Sequence, residues 1–153
     1  MILIDEIARS DIEYKDEVLK LSELAGDYLN TFEWCEKIVK GWVVNDFGYI
    51  LCIFYFEIET NRDSEADDHI WVIIGDLPTA YIDLISATTS KEALVHYCDL
   101  MEDWINCIKN GQTVEDCYPI SALPTLEHAN MLQSRIELIK TDYIPIVSNQ
   151  KMR

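Results

Sequence analysis

The sequence predicts an α+β fold, a small antiparallel sheet of three to four strands packed by N-terminal and C-terminal helices. Three observations carry it. Tyr49 to Ile58 is a run of β-branched and aromatic residues, and Ile70 to Ile74 is a second. Helix-period segments lie before and after these runs. Two of those segments open on a hydroxyl followed three residues later by a carboxylate, Ser10 to Glu13 and Thr89 to Glu92, the spacing at which side chains and backbone donors at a helix start satisfy one another.

Taken in order, Val18, Leu21, Ala25 and Tyr28 recur at three or four and predict a helix from about Asp11 to Leu29. Phe32, Cys35, Ile38, Val39 and Trp42 keep that period behind a cap at Asn30 or Thr31 and suggest a second, shorter helix. Lys40 to Val44 equally suits the first strand of a hairpin closed by Asn45-Asp46-Phe47-Gly48. Tyr49 to Ile58 shows no polar alternation before Glu57, so it is expected at the centre of the sheet with both faces covered. A polar loop, Thr60 to Asp68, leads to the strand Ile70 to Ile74, which stops at Gly75-Asp76-Leu77-Pro78. Ala80 to Ile85 is a third strand.

Ser90 to Asn110 is the clearest helix. Leu94, Tyr97, Met101, Trp104, Ile105 and Ile108 form an apolar stripe, and Gly111 supplies the stop. Its outer face carries Glu92, His96, Asp99, Glu102, Asp103 and Asn106. A last helix runs from about Thr125 to Lys140, with Ala129, Leu132, Ile136 and Ile139 inward. The whole, 1–153, reads as a single domain with loose ends at 1–9 and 145–153.

Charge bounds the function. The 153 residues hold 28 Asp and Glu against 12 Lys and Arg, a net charge of −16. Glu57 to Asp103 holds 12 acids against Arg62 and Lys91, a net of −10, while Trp104 to Arg153 is neutral. Such a field repels nucleic acid and anionic membranes and attracts basic surfaces. No segment reads as a signal peptide or a membrane span, so a cytoplasmic location is expected. Oligomeric state is not legible. Cys35, Cys52, Cys98, Cys107 and Cys117 form an odd set without a C-x-x-C pair and read as reduced, mostly buried thiols.

Reaction chemistry finds no foothold. His69, His96 and His128 lie far apart with no metal-ligand spacing, and no P-loop, G-x-S-x-G or G-x-G-x-x-G occurs. Neither enzymatic activity nor a cofactor or metal is therefore expected. Asp63-Ser64-Glu65-Ala66-Asp67-Asp68 evokes a calcium loop but lacks the glycine at position six and the glutamate at position twelve that shape an EF-hand. As a solvated loop it needs no further explanation. As a functional surface it joins Glu57, Glu59, Asp99, Glu102 and Asp103, so the expected partner-binding set is Glu57, Glu59, Asp63, Glu65, Asp67, Asp68, Asp99, Glu102 and Asp103.

Trp71-Val72-Ile73-Ile74-Gly75-Asp76-Leu77-Pro78-Thr79-Ala80-Tyr81-Ile82 resembles the signature W-x-I-x-G-D-L-P-x-x-Y-I of an uncharacterised family of small bacterial proteins, in which a Trp-Cys pair like Trp34-Cys35 precedes the strands. The likeness spans roughly Trp34 to Leu100. In size, acidity and α+β make-up the chain also resembles immunity proteins of bacterial contact-dependent toxin systems. That resemblance implies a protein that binds and neutralises a basic toxin domain, often a nuclease, through an acidic surface. The alternatives are a small enzyme using Asp76 or a carboxylate pair, and a homo-oligomeric scaffold or adaptor anchored by Trp42 or Trp104.

Overall fold

The computed structural model describes residues 1–48, 50–61, 68–149 and 151–152. Strands β1 (Ile2–Leu3), β2 (Cys35–Asp46), β3 (Leu51–Thr60), β4 (His69–Gly75) and β5 (Leu77–Asp83) form a five-stranded antiparallel sheet in that spatial order. Helix α1 (Lys15–Asn30) covers one face. Helices α2 (Ser90–Lys109) and α3 (Leu126–Leu138) cover the other. The fold is α+β, with one strand more than the upper expectation.

Strand β3 shows why its sequence lacks alternation. Leu51, Ile53 and Tyr55 enter the core under α2 and α3, whereas Cys52, Phe54, Phe56 and Ile58 enter the core under α1. A strand buried on both sides has no solvent face to make polar. Trp71, the largest fully buried side chain, lies beside Tyr55 on β4, and its indole N–H donates to the Ala87 carbonyl at 2.9 Å. That bond satisfies a donor that burial would otherwise strand.

Several expectations are corrected. The second helix does not form, because Phe32 to Trp34 is a turn and Cys35 opens β2, the hairpin partner of β3. Helix α1 begins at Lys15, and the Ser10 hydroxyl donates to the Ile7 carbonyl instead of capping it. Strand β5 begins at Leu77, since Gly75 and Leu77 pair across a turn that leaves only Asp76 between them. Among the described residues both ends carry specific contacts. Ile2 and Leu3 pair with Val43 and Trp42, and Ile7 is buried. At the other end Val147 is buried, Lys91 N–H donates to Ser148 O, and Met152 N–H donates to Thr88 O.

The second capping box does form. Thr89 Oγ1 accepts from Glu92 N–H at 3.0 Å, and the Glu92 carboxylate accepts from Thr88 N–H at 2.7 Å. Bonds from the backbone and hydroxyl of Thr88 hold that carboxyl below its ordinary pKa. At the far end of α2, Gly111 takes φ +69° while Gly111 N–H donates to Ile108 O and Gln112 N–H to Cys107 O. These paired bonds are a Schellman stop, and the left-handed backbone favours glycine there.

Candidate functional site

The predicted acids fall into two groups. Glu57, Glu59 and Asp68 sit at one end of the sheet. Asp68 Oδ1 lies 2.7 Å from His69 Nδ1, and Glu57 Oε1 lies 3.9 Å from His69 Nε2. In register, Glu57 and Glu59 stand opposite Lys40 and Lys37 of β2, so each acid has a basic cross-strand neighbour. Asp99, Glu102 and Asp103 lie on α2, where Glu102 pairs with Lys140 of the segment following α3. Asp63, Glu65 and Asp67 lie outside the described residues.

A better-built site stands at the edge of β5. Tyr28 near the end of α1, Phe32 and Trp34 in the turn that follows, Tyr81 on β5 and Tyr118 after α2 form one aromatic cluster. Phe32 meets Tyr28 and Tyr81 edge-on at centroid distances of 5.1 Å and stacks on Trp34 at 5.0 Å. The hydroxyls of Tyr28 and Tyr118 are 2.9 Å apart, and Tyr118 Oη accepts from Tyr81 N–H at 3.1 Å. Burial is the chief cause that pushes both phenols above the ordinary tyrosine pKa. Tyr28, Phe32, Tyr81 and Tyr118, with Pro119 and Ile120, line a cavity of about 470 Å³.

Carboxylates neighbour these rings along the chain. Asp27 and Glu33 are exposed beside Tyr28 and Phe32 in the chain, Asp83 follows Tyr81 on the same strand face, and Asp116 is exposed two residues before Tyr118. The field of Asp83 reaches the Tyr118 phenol. None of these four acids belongs to the predicted set. Four chain segments supply the rings, so no local pattern announces them; the eight tyrosines of the sequence are the sole hint.

The Gly75-Asp76-Leu77-Pro78 segment has a structural account. A Cβ on Gly75 would lie 2.2 Å from the Ile50 carbonyl oxygen, too close for any side chain, and Asp76 N–H donates to that same oxygen at 3.0 Å. Arg135 of α3 donates to the Asp76 carboxylate at 2.8 Å, and Tyr97 Oη donates to Pro78 O at 2.6 Å. The motif thus fastens the β4–β5 turn to the β2–β3 connection, to α2 and to α3. Beside it, Pro78, Thr79, His128, Met131, Leu132 and Arg135 line a cavity of about 340 Å³. The enzyme alternative named Asp76 or a carboxylate pair; of these, the Asp76 carboxylate is the partner of Arg135.

The scaffold alternative is corrected at its anchors: Trp104 is buried in the core and Trp42 packs half-buried against Tyr55. All five thiols are free. Burial pushes Cys52 and Cys98 up to about 12, so at neutral pH both remain protonated side chains of the core. Among the described residues no three metal-ligating side chains cluster, and no helix is long and apolar enough to cross a membrane. Compared with family models, curated proteins and solved structures, the chain shows no significant match.

Proposed function

We propose that the protein is a cytoplasmic immunity-type binding protein that neutralises a basic toxin domain, a nuclease, by occupying its phosphate-binding cleft. The observation that supports this most is the aromatic cavity at the β5 edge, whose ring-bearing segments also carry Asp27, Glu33, Asp83 and Asp116. Rings that are half-exposed and held by hydroxyl bonds are rigid anchors of the kind that dominate protein interfaces. A lysine or arginine placed over such rings gains about 0.5–2 kcal/mol from the ring quadrupole, and flanking carboxylates add to that attraction. A nuclease cleft, built to hold phosphate, presents such cations. The net charge of −16 steers the encounter.

The test is co-expression with a basic nuclease toxin domain, taken from any toxin gene that adjoins its own. Wild-type protein should restore growth and co-purify with that domain. Tyr81→Ala, and reversal of Asp27, Glu33, Asp83 and Asp116 to lysine, should abolish both while leaving the fold intact by circular dichroism. A wild-type chain that neither rescues nor binds would overturn the reading.

A further inference from the structure

The chain carries a second feature that the partner-binding reading does not use. Cys107 sits in the last turn of α2 and Cys117 in the loop that returns beneath it, and the Cys117 thiol donates to Cys107 Sγ at 3.4 Å. Local chemistry places them there. The Schellman stop at Gly111 reverses the chain, Thr113 Oγ1 accepts from Glu115 N–H, and Cys117 N–H donates to Val114 O, which closes the loop back on the helix. Both cysteines are half-exposed, unlike Cys35, Cys52 and Cys98, and both line an open cavity of about 750 Å³ with Asp103 and Asp116.

We propose that Cys107 and Cys117 are a thiol–disulfide site, oxidised in the folded protein by low-molecular-mass disulfides, with cationic disulfides preferred over anionic ones. The sulfurs need approach only from 3.4 Å to the bonding distance of about 2.05 Å, a movement within reach of side-chain rotation. One thiolate attacks a sulfur of the small disulfide, whose S–S bond breaks, and the first small thiol leaves with the electron pair and takes up a proton. The second cysteine thiolate then attacks the protein sulfur of the mixed disulfide and expels the other small thiol. Two protein thiols lose two electrons and two protons, and one small disulfide becomes two thiols. Asp103 and Asp116 set the charge preference, repelling an anionic oxidant and drawing a cationic one. Burial, the Cys107 contact and the fields of Asp103 and Asp116 push the Cys117 thiol up to about 11, so its thiolate is scarce at neutral pH and exchange should quicken as pH rises.

The consequence reaches the candidate site, because Cys117 immediately precedes Tyr118. A bond at Cys117 would fix the backbone from which Tyr118 reaches Tyr28 and Tyr81. The proposal does not depend on any partner, and it fails or stands separately from the binding reading.

Cystamine and oxidised glutathione, applied to the purified chain, are the probes. After acid quench and alkylation, peptide mapping should place a Cys107–Cys117 bond. Cystamine should react at least several-fold faster than oxidised glutathione at low salt, with the gap closing at high salt. Cys107→Ser and Cys117→Ser should each stop at one mixed disulfide. In cystamine/cysteamine buffers the folded chain should be half-oxidised at an oxidant ratio at least tenfold lower than the same chain in urea. By linkage the bond must then raise the melting midpoint, by about 5 °C for a chain of this size. A bond that forms only in urea, equal ratios in the two states, or oxidation mapped to Cys35, Cys52 or Cys98 would overturn the proposal. Equal rates for the two probes at low salt would overturn the charge preference.

Discussion

Tyr28 and Tyr118 join their hydroxyls at 2.9 Å across 90 residues of sequence, and the same Tyr118 oxygen accepts Tyr81 N–H at 3.1 Å. One oxygen therefore ties the end of α1, the edge strand β5 and the loop after α2. Tyr118→Phe removes the acceptor bonded to the Tyr81 amide at 3.1 Å, in a half-buried setting, and should cost about 1–3 kcal/mol. Tyr28→Phe removes the hydroxyl pair and a weaker contact of the Tyr28 phenol with the Tyr81 backbone, and should cost about 1 kcal/mol. Urea unfolding measures both, and exchange of the Tyr81 amide should quicken more in Tyr118→Phe than in Tyr28→Phe.

The phenols also set an alkaline limit. Burial raises Tyr28, Tyr97, Tyr118 and Tyr143 above the ordinary value near 10 in the folded state. Their contribution to stability is fully present below that value. It is lost as pH climbs above it, because the unfolded chain then releases phenolic protons that the folded chain retains. The phenolate absorbance of these four should appear only with alkaline unfolding, which single Tyr→Phe variants at each position would assign. Ionisation of these four in the folded chain, ahead of unfolding, would refute the assignment.

Glu92 acts at the acid end. Bonds from Thr88 lower its folded-state pKa, so its contribution is present above the unfolded carboxylate value and lost as pH falls through the lower, folded one. Glu92→Gln should flatten that part of the stability profile in thermal melts between pH 6 and the acid limit. An unchanged slope would mean that the box does not hold the start of α2.

Gly75→Ala tests the close approach behind the G-D-L-P segment. The new methyl would press against the Ile50 carbonyl oxygen, which is backbone and cannot step aside. The expected cost is at the upper end of the about 1–3 kcal/mol typical of forced overpacking, read as a fall in urea midpoint. Asp76→Asn keeps the turn and weakens only the Arg135 pair, which is exposed, so it should cost under about 1 kcal/mol.

Charge reversal locates the partner surface. Lysine at Asp27, Glu33, Asp83 and Asp116 should slow association more than lysine at Asp63, Glu65, Asp67 and Asp68, and both more than lysine at Glu13, Asp16 and Glu17 around the start of α1, compared per reversed charge. Stability should change by within about 0.5 kcal/mol per site. Association should also slow as salt rises past a Debye length of about 8 Å. Equal losses for the three sets would mean that the overall field, and no particular surface, steers the encounter.

Elements with one unbroken period were legible. The stripe of α2, the inward set Ala129, Leu132, Ile136 and Ile139, and the doubly buried β3 were all read from spacing, and the structure buries them as expected except Ile108, which stays half-buried. Strand β2 was misread for a definite reason. Register shifts between Cys35 and Lys37, between Ile38 and Lys40 and between Val43 and Asn45 insert extra residues. Positions facing α1 then recur at Cys35 and Ile38, three apart, and a bulged strand imitates a helix. The same misreading hid Lys37 and Lys40 from Glu59 and Glu57, which made the sheet-end acids look less accompanied than they are. The aromatic cavity was invisible because its rings converge only after the meander has folded.

Tyr118 has one more effect, on what the sheet does not do. An outer strand normally offers a row of amides and carbonyls on which another chain can pair, the first step towards fibrous growth. On β5 the Tyr81 amide is already taken by a phenol, and the opposite margin, β1, is two residues long, too short to template a neighbour. The ring that anchors the cavity is therefore also a stopper against edge-to-edge polymerisation, and a Tyr118→Ala chain should form thioflavin-positive fibrils sooner than wild type under mild agitation.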